Sequence, residues 1–97
     1  MQGISIDELY ENIINSHDIE FIYNNKIFVI QTEIDDNNAF LVIWNCDQNF
    51  SKCLSKYKIP DQNTIPKSVI DKILNDKCID GRPFMDLEKD IKVTIVY

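Results

Sequence analysis

His17 is the only histidine in this 97-residue chain, so a general base or an imidazole-ligated metal would have to be built around it. Asp18 beside it is a poor partner, because neighbouring side chains on an extended chain point apart. A polar residue closing the first helix, where a cationic imidazole suits the dipole, accounts for His17 without chemistry. The three cysteines are Cys46, Cys53 and Cys78. The spacing of Cys46 and Cys53 matches no zinc knuckle, and buried free thiols are their ordinary fate. Lys52 and Lys56 could favour a thiolate at Cys53. That reading, a small Cys-dependent enzyme, lacks a base and a glycine-rich oxyanion loop. No catalytic residue, metal site or cofactor is therefore expected.

The carboxylates offer binding rather than catalysis. Glu33, Asp35 and Asp36 are expected at a hairpin tip, with Asp47 at the other end of the following strand. A calcium loop needs alternating ligands and a glycine, and this turn has none. An acidic contact patch that meets Lys or Arg on a partner is the functional reading. Asp80-Gly81-Arg82 is no phosphate loop, because the G-x-x-x-x-G-K pattern is absent. Gly81 is expected to supply positive φ in a turn. Arg82, the only arginine, suits a structural role as well as a binding one. Phe40, Val42 and Trp44, with Ile22 and Ile27, would share a second sheet face. The second helix or the 47–63 segment must cover that face, or else it is an interface.

Charge and composition narrow the partners. The net charge is -6 at pH 7, which opposes direct nucleic-acid binding, since phosphate neutralisation dominates that affinity. Lys52, Lys56 and Lys58 come nearest to a basic cluster and read as solvated loop lysines. Acidity suits a basic protein surface instead. Met1 to Ile6 has neither the basic start nor the apolar run of a secretory signal. The apolar run Phe40 to Trp44 is too short to span a membrane. With an odd number of free thiols, this points to the reducing cytoplasm.

The elements that must position these residues are legible in part. Ser5-Ile6-Asp7-Glu8 has the form of a capping box, with Ile4 and Leu9 placed for a hydrophobic staple. The apolar spacing of Leu9, Tyr10, Ile13 and Ile14 predicts a helix over Ile6 to Asn15. Asn24-Asn25 predicts a two-residue turn between Ile19–Tyr23 and Lys26–Ile34, pairing Phe21 with Phe28 and Ile19 with Ile30. Asp35-Asp36-Asn37-Asn38 predicts a second hairpin pairing Ile34 with Ala39. Asp47 to Asn63 is expected as a loop with one helical turn, stopped by Pro60. Asn63 or Thr64 would cap a second helix carrying Pro66 in its first turn, with Val69, Ile70, Ile73 and Leu74 inward. Pro83 to Lys89 reads as a short third helix, and Ile91 to Tyr97 alternates as a last strand. The expectation is one α+β domain over residues 1–97. Its order is α-β-β-β-α-α-β, with an antiparallel sheet of about four strands, a β-meander plus the C-terminal strand, and two to three helices.

The capped helix, "IEFIYNNKIFVIQ", the strand ending in Trp44 and "DKCIDGRPFMDLEKDIKV" together resemble small α+β proteins of low-GC Gram-positive bacteria and their phages. The resemblance implies a compact fold and transfers no active site. By analogy of size and charge, small acidic phage and mobile-element proteins often act as stoichiometric inhibitors, anti-CRISPR proteins among them. The expected function is a non-enzymatic protein-binding module that inhibits or regulates a larger partner with a basic surface, such as a nucleic-acid enzyme. Its contacts would come from Glu33, Asp35, Asp36, Asp47, Phe40 and Trp44. The alternative is a housekeeping regulatory domain or homodimer using the apolar sheet face.

Overall fold

The computed structural model describes residues 1–47, 51–60 and 64–97. Helix α1, Ile6–Ile14, starts as its sequence dictates. Ser5 Oγ accepts from the Glu8 amide and Glu8 Oε1 accepts from the Ser5 amide, both at 3.1 Å, completing the capping box. The helix ends in a Schellman arrangement. Ser16 N–H donates to the Ile13 carbonyl and His17 N–H to the Asn12 carbonyl, each at 2.9 Å. Ser16 holds the left-handed position that glycine usually takes, at φ 61°.

The strands are β1 Ile19–Tyr23, β2 Lys26–Asp35, β3 Asn38–Asn45, β4 Lys52–Ile59 and β5 Lys92–Val96, with α2 Lys67–Asn75 and α3 Phe84–Leu87 between β4 and β5. They form one antiparallel sheet in the order β4-β3-β2-β1-β5. Both hairpins take the expected register, with Phe21 opposite Phe28 and Ile34 opposite Ala39. Asn24 and Asn25 lie at φ 52° and 61°, Asp36 and Asn37 at 50° and 64°. Two consecutive positive φ values define the turn whose twist matches a hairpin, and Asn and Asp tolerate them best. Asp80 and Gly81 form a third such turn, at 53° and 66°, closed by Arg82 N–H on the Ile79 carbonyl at 2.9 Å.

Three expectations are corrected. The sheet has five strands rather than about four, because Lys52–Ile59 is an edge strand and not a loop with a helical turn. Helix α2 begins after Pro66, which occupies the N-cap position without a side-chain cap; Thr64 is not its cap, and Asn63 lies outside the described residues. The third helix is a single turn, Phe84–Leu87, continued by a 3-10 turn over Glu88–Asp90.

All three helices pack on one sheet face. Phe21 stacks on Phe28 with centroids 5.3 Å apart and meets the edge of Phe84 at 5.3 Å. Leu9, Ile13, Ile70, Ile73, Leu74 and Leu87 close over them, and the cluster is continuous. Polar bonds fix the helices where burial alone would let them slide. Tyr10 OH donates to Asp71 at 2.6 Å, tying α1 to α2. Ser55 Oγ and Tyr57 OH donate to Asp76 Oδ2 at 2.6 and 3.1 Å, tying the edge strand to the end of α2. Among the described residues no helix is long and apolar enough to cross a membrane.

Candidate interaction face

The sheet face opposite the helices carries the side chains that alternate with the core. Phe40, Val42 and Trp44 come from β3, and Val29, Gln31, Glu33 and Asp35 from β2. Lys56 and Lys58 on β4 stand opposite Val42 and Phe40. This placement corrects the loop reading of the lysines: alternation on an edge strand puts both on one face, where they also guard the edge against unwanted pairing.

Two polar bridges cover part of this face. Trp44 Nε1–H donates a short bond to Glu33 Oε2, and Gln31 Nε2 donates to the same oxygen at 2.7 Å. Lys56 Nζ sits 4.3 Å from the centre of the Phe40 ring and 3.4 Å from Asp35 Oδ2. Val42 between them is fully buried, yet it does not belong to the helix-side core. Of the two expected sources of cover, the second helix lies on the other face, whereas the 47–63 segment contributes Lys56 through β4. Ile27 remains 39% exposed, and Phe40 and Trp44 are half-buried.

The expected acidic patch is rearranged. Only Asp35 and Asp36 belong to the hairpin end, and both are exposed. Glu33 lies within β2, held by Trp44 and Gln31. Asp47 follows the far end of β3, where its amide donates to Asn45 Oδ1 at 3.0 Å. At about 3.3 Å per residue, Asp36 and Asp47 are roughly 30 Å apart. The four carboxylates therefore do not form one patch, whereas Glu33, Asp35, Phe40 and Trp44 share a face. Sequence reasoning missed Gln31, Lys56 and Asp18. Burial first and the Glu33 charge second push the Asp18 carboxyl above its ordinary range, while His17 pulls it down.

Of the residues weighed for catalysis, Cys53 on the edge strand β4 stands opposite Trp44. His17 is exposed, and its Nδ1 lies 2.9 Å from Asn12 Oδ1. Cys53 Sγ donates weakly to the Ser55 carbonyl at 3.6 Å. Burial, reinforced by the Asp76 charge, pushes the Cys78 thiol up to about 11, so it is a neutral thiol at pH 7. Among the described residues no three His, Cys, Asp or Glu side chains are grouped to hold a metal ion.

No family profile, curated protein or solved structure matches this chain. The functional reading therefore rests on its own residues.

Proposed function

We propose that the chain is a small acidic binding protein that docks its helix-free sheet face on a basic surface of a larger protein and inhibits or regulates it stoichiometrically. The observation that carries this reading is the composition of the face. Half-buried Phe40 and Trp44 stand among Glu33, Asp35 and Gln31 on one rigid sheet. Aromatic anchors ringed by polar groups are the usual make-up of a protein interface. The net charge of -6 steers such a face toward cations. Size and acidity support, by analogy, a phage or mobile-element inhibitor of the anti-CRISPR kind, acting in the cytoplasm on a nucleic-acid enzyme.

Quantitative capture from the source organism tests the reading. The variant should neutralise the hairpin end without straining it. Lys at position 36 would have to adopt φ near 50°, whereas Asn does so readily. Asp35→Asn with Asp36→Asn should retain less partner than wild type at low salt, and high salt should narrow the gap. Equal retention at both salts would remove these two residues from the interface.

A homodimer is the second reading, favoured by one observation. The face is acidic along β2, at Glu33 and Asp35, and basic along β4, at Lys56 and Lys58, so two copies related by a two-fold axis could pair unlike stripes. Sedimentation at low micromolar concentration separates the two readings; a clean monomer removes the second.

A further inference from the structure

We propose that the depression beside Trp44 is a socket for one arginine side chain of the partner. This rests on the reading that the helix-free face docks on a basic protein, and it names the contact at that interface's centre.

The depression measures about 280 Å³ and is lined by Val29, Gln31, Glu33, Trp44, Cys46 and Ser51. That lies just below the roughly 300–1,000 Å³ of small-molecule sites and suits a single side chain. Its polar atoms are unevenly used. Trp44 Nε1 and Gln31 Nε2 both donate to Glu33 Oε2. Glu33 Oε1 and Gln31 Oε1 accept no hydrogen bond among the described residues, and the two ion pairs found there, Met1–Glu88 and Lys56–Asp35, leave Glu33 out. The donors that hold the carboxylate also fix its direction, so the open oxygen is presented without further ordering cost.

A guanidinium matches this arrangement better than an ammonium. Its planar fork donates to two acceptors at once, here the open oxygens of Glu33 and Gln31, and its flat face stacks on an indole. An ammonium offers neither the fork nor the stacking. Charge complementarity adds to the shape: the Glu33 charge is close enough to Asp18 to disfavour its ionised form, and an incoming cation relieves that repulsion.

Trp44 is the only tryptophan, so its emission and its single indole N–H resonance report on the socket alone. Hexa-arginine, titrated in low salt, should shift that resonance saturably. Hexalysine should do so several-fold more weakly, and Glu33→Gln should lose most of the response. Gln31→Met, which keeps the shape and removes the other open acceptor, carries the same test if Glu33→Gln does not fold. No shift, an equal shift with hexalysine, or an equal shift in both variants would overturn the assignment. Capture of the natural partner through Phe40 and Trp44 without any arginine response would leave the docking face standing and remove only the socket.

Discussion

The indole N–H of Trp44 on β3 donates to the Glu33 carboxylate on β2, although the two are not cross-strand partners. Trp44 stands opposite Val29 and Glu33 opposite Phe40, with the Gln31–Val42 pair between them. The bond therefore runs along the strands and closes over Val42, which has no exposed surface. With the Lys56 bridge to Phe40 and Asp35 on its other side, this contact covers Val42 while holding the Glu33 carboxylate on the face.

Asp18 shows what that carboxylate does nearby. Its native carboxyl holds its proton more tightly than the unfolded one, whose value is 3.8, because of burial first and Glu33 second. Stability from such a group is fully present below the unfolded value and is lost as pH rises through the native value. Asp18→Asn should thus be more stable than wild type at pH 7, with the advantage shrinking toward about pH 3. Urea denaturation at the two pH values checks this, and an advantage unchanged by pH would contradict it.

The capping box and the aromatic stack should differ in weight. Ser5→Ala removes one cap and should cost about 1 kcal/mol. Phe28→Ala opens a cavity against Phe21 and should cost about 3–5 kcal/mol. Denaturant midpoints give the ranking, and a reversed order would contradict the packing described for α1 and the first hairpin.

Backbone geometry makes an opposed pair. Ser16→Gly relieves a left-handed serine at the end of α1 and should stabilise by roughly 0.5–1 kcal/mol. Gly3→Ala should destabilise by about 1–3 kcal/mol, because a Cβ there would lie 2.4 Å from the Val93 carbonyl oxygen at a φ of +101°. Thermal unfolding of both variants should move in opposite directions.

Thiol reactivity should follow exposure. Cys53 is exposed, whereas Cys78 is half-buried and its thiol is pushed up to about 11. Iodoacetamide at mildly alkaline pH should modify Cys53 first, as read by peptide mass spectrometry. Earlier modification of Cys78 would show that the end of α2 opens readily.

Local signals were the legible ones. Ser5 with Glu8, Asn24-Asn25 and Asp80-Gly81 each encode their own turn or cap within four residues, so none of the three needs the rest of the chain. Strand β4 was not legible because a bulge at the Ile43/Trp44 step makes Leu54 an extra residue. Leu54 and Ser55 are consecutive, yet both meet the helix side, through the core and Asp76. Period-two alternation fails there, and Cys53, Leu54 and Tyr57 imitate helical spacing. The candidate site was half legible. The alternation of β3 put Phe40 and Trp44 on one face, but a bond between residues four positions out of register has no sequence signature. Glu33 therefore read as a tip residue rather than as the partner of Trp44.

In the proposed complex the helix-free face makes the contact. Affinity of the captured partner for wild type, Trp44→Ala and Met85→Ser tests it most directly, because Met85 is 39% exposed on the helix side, beside Ile6, Tyr10 and Ile14. Trp44→Ala, folded by circular dichroism, should weaken binding by about ten-fold or more, as expected for an aromatic anchor. Met85→Ser should leave it within about two-fold. Loss of binding in Met85→Ser with full affinity in Trp44→Ala would contradict the claim and move the interface to the helices.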